Sequence, residues 1–269
     1  TVAYATPRRL TLIITGLPEK QSDVKDERKG PQIGAPEQAV NGFKSSLPEG
    51  TKIEERDLKG KTFYFGVTDK KGEATVNVLK DVINMVLTAM STSWPKSMRW
   101  GKNKVRWARP LHSIVCLFDY TVIPVGLGPV TASDSTSGHR FLAPELFVVK
   151  DFDDYKAKLE NAKVMLDAGE RREKIKAEAE ALAKAEGLTL RDDPGLLDEV
   201  SGLVEWPVTL IGDIDDRFMA VPPEVLIAAM RGHQKYFSTL NADGQLAAKF
   251  IFVSNMVADD GGKAIVVGN

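Results

Sequence analysis

Apolar and polar positions along this chain change period every ten to twenty residues, and each change marks an element. Residues 9–15 (R-L-T-L-I-I-T) alternate and then turn apolar with β-branched enrichment, which predicts a strand. The charged, Gly/Pro-punctuated segment 18–34 reads as a mobile loop holding Arg28-Lys29-Gly30-Pro31. A short helix over about 36–46 starts at Pro36, and 61–68 (K-T-F-Y-F-G-V-T) is a strand turned by Asp69-Lys70-Lys71-Gly72. Over 73–91, Val76, Leu79, Val82, Ile83, Val86 and Met90 recur at helical spacing until Trp94-Pro95 ends the pattern. Strands follow at 111–118 and 121–127, with Asp119-Tyr120 as the turn between them.

From Phe141 onward the composition shifts to helix. Residues 151–161, 168–186 and 194–204 carry helical periodicity. Asp167 with Glu170 forms a capping-box-like start, Gly187 an end, and Asp193-Pro194 opens the third helix. Trp206-Pro207 closes it and a strand resumes at 207–212. Pro222-Pro223-Glu224 opens a short helix to Arg231, ended by Gly232. A turn at Asp243-Gly244 precedes a buried strand at 250–254, and the A-I-V-V-G-N terminus is another strand-like run. Strands and helices in irregular order predict an α+β fold: a mixed, mainly antiparallel sheet body with a helical insertion. The expected organisation is a first part of the body at 1–139, the insertion at 140–205 and the rest of the body at 206–269. T-V-A-Y-A-T-P-R-R-L lacks an initiator Met and begins inside strand-like sequence, so both ends read as cut from something longer.

Composition adds constraints. The net charge of −1 gives no global attraction to a polyanion, so any such site must be a local patch. The single cysteine, Cys116, excludes an internal disulfide and, in its apolar run, reads as a buried structural thiol in a reducing cytoplasm. No apolar run reaches the length of a membrane span, and no phosphate loop, dinucleotide turn or metal-ligand spacing occurs, so no catalytic or metal residue is assigned. The local patch is evident. Trp94–Phe118 (W-P-K-S-M-R-W-G-K-N-K-V-R-W-A-R-P-L-H-S-I-V-C-L-F) holds Lys96, Arg99, Lys102, Lys104, Arg106 and Arg109, three tryptophans and no acidic residue. Arginine suits bidentate phosphate contact and an exposed indole, best Trp100, can stack on a base; Trp94, Trp107 and Trp206 read as core. Further cations stand at Arg8-Arg9, at Lys29, at His139-Arg140 after Gly138, and at Lys235 past a helix end. The alternative at each of these positions is an ordinary solvated or ion-paired surface charge.

Taken in order, A-T-P-R-R-L, K-G-P, W-P-K-S-M-R-W-G, V-R-W-A-R-P-L-H-S-I-V, S-G-H-R-F, L-L-D-E-V-S-G-L-V-E-W-P-V, V-P-P-E-V-L-I-A-A-M-R-G-H-Q-K-Y-F and F-I-F-V-S-N resemble the β subunit of the bacterial two-subunit (α2β2) glycyl-tRNA synthetase. The resemblance covers essentially the whole chain. It implies ATP-dependent joining of glycine to tRNA(Gly) through a glycyl-adenylate, with the aminoacylation centre, ATP and Mg2+ on the α subunit and no cofactor in this chain. It also implies a cytoplasmic protein that meets tRNA(Gly), the α subunit and the remainder of β, and no membrane. A family β chain starts with a G-T-E-E-L-P-like strand segment and continues into an H-D-type domain and an anticodon-binding domain, none of which is present here. The tRNA-facing candidates are then Arg8, Arg9, Lys29, Lys96, Arg99, Trp100, Lys104, Arg106, Arg109, His139, Arg140 and Lys235. Two other readings are a scaffold that docks α against the rest of β without touching RNA, and a hydrolytic or editing site using His139 or His233 with Asp134 or Glu205.

Overall fold

The computed structural model describes residues 1–256; the strand-like run at 264–269 lies outside them. In chain order the first elements are β1 (Val2–Ala5), β2 (Leu10–Ile13), β3 (Val24–Gln32), α1 (Glu37–Ser45), β4 (Lys52–Leu58), β5 (Lys61–Lys70), α2 (Thr75–Ser93), β6 (Met98–Arg99) and β7 (Arg106–Trp107). There follow β8 (Ile114–Val115), β9 (Leu117–Phe118), β10 (Thr121–Val122), β11 (Gly126–Leu127), β12 (Val130–Ser133), β13 (Ser135–Ser137) and β14 (Leu146–Val148). The last are α3 (Phe152–Asn161), α4 (Ala168–Ala185), β15 (Thr189–Leu190), α5 (Pro194–Ser201), β16 (Val208–Asp213), α6 (Pro223–Ala229), β17 (Phe237–Leu240) and β18 (Leu246–Ser254). The fold is α+β, and among the described residues every strand pair is antiparallel except β8 with β12.

Two compact units divide the chain. One comprises Thr1–Thr15, His112–Val122 and the chain from Ala132 onward; the other comprises Gly16–Leu111 and Ile123–Thr131. The first is built on the sheet β15-β17-β18-β16. Along α4, Ile175, Ala179 and Ala183 form a stripe of period four that packs with Phe237, Ile251 and, from α5, Leu196, Leu197 and Val200. Asp167 caps α4 by accepting from the N–H groups of Gly169 and Glu170 (2.7 and 3.2 Å), and Asp193 caps α5 by accepting from Leu196 N–H (2.9 Å). A smaller core joins Leu159, Val164 and Leu166 to Tyr4, Phe147, Phe152 and Tyr155, so that α3 covers one face of the β1–β2 hairpin.

In the second unit the sheet β3-β5-β4 carries α1 on one face. Gly66 permits this approach, because a Cβ there would stand 2.7 Å from a Leu47 methyl. The segment expected to be a mobile loop is largely β3, the edge strand of that sheet. Its charges mislead because exposed edge strands carry charge, and Gly30-Pro31 falls where the β3–β5 register slips between Lys29 and Gln32, the position at which a missing N–H costs no ladder bond. The strands expected at 111–118 and 121–127 are each broken in two, the second at Ile123–Val125 around Pro124, which has no N–H to donate. Asp119 and Tyr120 do turn β9 into β10, both with positive φ (46° and 63°), the conformation of a tight hairpin turn. The helix expected to reach Arg231 ends at Ala229 and continues as a π-turn over Met230–Gln234, closed by Lys235 in the left-handed region.

Candidate nucleic-acid interface

Helix α2 sets the base of the basic stretch. Trp94 stands before Pro95, where helical backbone is disfavoured, and leaves the helix extended (φ −64°, ψ 122°). The chain then folds back as the β6–β7 hairpin, with Met98 opposite Trp107 and Arg99 opposite Arg106. Successive cross-strand pairs point to opposite faces. Trp107 lies against Trp94, ring centroids 5.0 Å apart, and the buried Ser91 Oγ of α2 accepts from Arg106 N–H (3.2 Å), which fixes β7 to the helix.

The other face carries Arg99 and Arg106, both exposed. Like charges directly opposite one another destabilise a hairpin, and a carboxylate alongside normally offsets them. None is present: among the described residues, Lys96, Arg99, Lys102, Lys104, Arg106 and Arg109 make no ion pair. Arg106 instead donates through Nε to Ser97 Oγ (3.1 Å) and through Nη2 to the Ser97 carbonyl (2.9 Å). Some cations elsewhere on the surface do find acids, as in Arg56 with Glu27 and Glu54, Arg172 with Asp198, Arg231 with Asp193 and Lys249 with Asp213. What sets this stretch apart is that Trp94–Phe118 contains six cations and no acidic residue.

The remaining sequence candidates separate into several settings. Lys96 and Arg109 flank the hairpin and Lys104 lies in its connecting loop, all three exposed, whereas Trp100 in the same loop is half-buried. Lys29 lies on β3 with its Nζ 3.7 Å over the Phe63 ring. In the other unit Arg8 is exposed, Arg140 sits over the Phe141 ring (5.3 Å), and Lys235 pairs with Glu199 (2.8 Å).

Arg9 and His139 are internal. Arg9 pairs with Glu205, and its Nη2 donates to the carbonyls of Ser137 and Gly138 (2.6 and 2.7 Å). Thr6 Oγ1 donates to the same carboxylate (2.6 Å). His139 Nδ1 accepts from the N–H groups of Phe141 and Leu142 (3.3 and 3.2 Å), while His139 Nε2 and Glu205 Oε2 are buried without a partner among the described residues. Gly138 belongs here because a Cβ would come within 2.5 Å of the Ala162 carbonyl oxygen. Arg171, on α4, completes the cluster: fully buried, it donates to the carbonyls of Ala5, Met165, Leu166 and Ser201. Burial lowers the Arg171 pKa from its ordinary value, and the Glu205 charge opposes that shift. Three of the sequence phrases, A-T-P-R-R-L, S-G-H-R-F and E-W-P-V, therefore meet around one carboxylate. His139 and Glu205 are 1% and 0% exposed and share no hydrogen bond with each other. Sequence reading passed over Arg171, although it stands in phase with Ile175, Ala179 and Ala183 on the apolar stripe of α4. Among the described residues, no group of His, Cys, Asp and Glu side chains could hold a metal ion, and no helix is long and apolar enough to cross a membrane.

Comparison with known proteins bears on the whole chain. The family model described as glycyl-tRNA synthetase beta subunit matches residues 1–269. The glycine–tRNA ligase beta subunit of Rhodospirillum centenum is 47% identical over 292 residues, covering 99% of this chain and 41% of that protein. Those of a Ruegeria species and of Paracoccus denitrificans are 46% and 44% identical over 272 residues, each covering 99% of this chain and 39% of the relative. The chain thus spans about two fifths of the length of these relatives. On a match that runs from the first residue to the last, the chain belongs to the glycyl-tRNA synthetase beta subunit family.

Proposed function

We propose that this chain is the part of a glycine–tRNA ligase β subunit that grips the phosphate backbone of tRNA(Gly) while chemistry proceeds on the α subunit. The observation that carries the reading is the β6–β7 hairpin, where Arg99 and Arg106 face each other with no carboxylate to offset them. A polyanion supplies the missing countercharge, and a phosphodiester accepts the forked donors of arginine. Lys104 in the connecting loop and Lys96 and Arg109 on the flanks extend the same charge. The joining of glycine to tRNA at the expense of ATP, with ATP and Mg2+ held by α, is work for the assembled enzyme. In it this chain supplies binding, positioning and charge, and no group that reacts. Arg8 and Arg140 are secondary candidates because they remain exposed.

The test is the double variant Arg99→Ala/Arg109→Ala in the assembled enzyme. Neither guanidinium is a partner in any ion pair or side-chain hydrogen bond among the described residues, so their removal leaves the fold undisturbed. tRNA affinity is expected to fall about tenfold while glycyl-adenylate formation, followed by pyrophosphate exchange, stays unchanged. Unchanged charging kinetics would remove the hairpin from the interface. A second reading, a scaffold that docks α without RNA contact, draws on the internal use of Arg9 and His139 and the pairing of Lys235 with Glu199. It requires that the double variant charge normally while the basic hairpin still protects α from exchange.

A further inference from the structure

The two faces of the β1–β2 hairpin differ in how far packing covers them. With Ala3 opposite Leu12 and Ala5 opposite Leu10, these four side chains share a face, and Val2, Ile13, Tyr4 and Thr11 share the other. The second face is occupied at its centre, where Tyr4 stacks on Phe152 (5.5 Å) and Thr11 Oγ1 meets Tyr155 Oη (3.4 Å), while Val2 at its end is 52% exposed. The hairpin is also pinned at its turn, by Thr6 and Arg9 on Glu205 and by Arg171 on the Ala5 carbonyl. The first face is thus presented on a rigid base, yet Leu10 and Leu12 are 62% and 63% exposed, and Ala3 and Ala5 lie open beside them. Ile14, two residues beyond Leu12, extends the strip at 47% exposure. All five of these side chains are apolar.

Exposed apolar side chains grouped on one face mark a contact site. The strip bears no cation and so does not suit a nucleic acid. It is also small: five side chains, against roughly 20–30 residues a side in a stable interface between separate proteins. A patch of that size holds an occupant that is tethered, because linkage replaces the cost of bringing two molecules together with a high effective concentration. Some three fifths of the relatives' length lies outside the match, which is ample chain to supply one. From the family membership and this geometry, and independently of the tRNA reading, we propose that the Ala3–Ala5–Leu10–Leu12 face seats an apolar segment of the same β polypeptide that lies outside these 269 residues.

Hydroxyl-radical footprinting read by peptide mass spectrometry tests this on unaltered protein. Oxidation of Leu10 and Leu12 is measured in this chain, in full-length β alone at submicromolar dilution, and in β with α. Severalfold protection on going from this chain to full-length β alone is the expected result. Protection that arises only when α is added assigns the face to α and overturns the proposal, as does protection in this chain that grows with concentration, which assigns it to a second copy. Full oxidation in all three samples also overturns it. Leu12→Glu supplies a second readout: it is expected to lower the thermal midpoint of full-length β and leave that of this chain unmoved. An equal loss in both would mean that Leu12 serves only the hairpin itself.

Discussion

Glu205 shows how one buried side chain can govern several segments. It holds Arg9 and Thr6 directly and faces the charge of Arg171, which Asp167 also offsets, so one buried carboxylate serves two internal guanidinium groups. Glu205→Gln leaves Arg9 without its ion-pair partner and Arg171 with Asp167 alone. The expected loss is about 3–5 kcal/mol, read as a lower urea midpoint at unchanged slope. Asp193 makes a pH prediction of definite sign. Burial acts to raise its pKa, but the Arg231 guanidinium and the Leu196 amide outweigh burial and hold the carboxyl below its ordinary value. A carboxyl depressed in the folded state binds its proton more weakly there than in the unfolded chain. Its contribution is therefore complete above the unfolded value, about 3.9, and is lost as pH falls through the folded one. Asp193→Asn keeps a capping oxygen but cannot titrate, so its thermal midpoint should fall less steeply than the parent's below about pH 4.

Among elements, the β6–β7 hairpin depends on α2 for its position. It has only two residues per strand, too short to stand unaided. The Trp94–Trp107 contact and the bond from Arg106 N–H to Ser91 Oγ make it a fixed feature of the unit. Ser91→Ala leaves that amide half-buried and unpaired, a cost of about 1–2 kcal/mol. Faster amide exchange at Arg106 and Trp107, with slower tRNA charging, is the expected pair of outcomes. Exchange that speeds up without any change in charging would separate the hairpin's order from its function.

For the whole molecule, a net charge of −1 means that no long-range field draws nucleic acid to this chain. Affinity must come from contacts within a Debye length, about 8 Å at physiological salt, and should therefore be steeply salt-dependent. In the Arg99→Ala/Arg109→Ala enzyme the slope of log affinity against log salt should become shallower by about two, one for each lost phosphate contact. An unchanged slope would mean that other cations carry the contact.

Much of this protein was legible in its order of residues. The periods of α2, α4 and α5, the caps at Asp167 and Asp193, the Asp119-Tyr120 turn and the isolated basic stretch all follow from local chemistry, because each depends on neighbours a few residues away. Composition misread β3, where charge marks an exposed edge rather than a loop, and it could not divide the cations by fate. Arg8 and Arg9 are adjacent, yet one meets solvent and the other a buried carboxylate 196 residues away. That choice rests on which distant segments fold against the side chain, and only tertiary structure decides it. The same is true of the two faces of the first hairpin, of which packing covers the centre of one and leaves the other open.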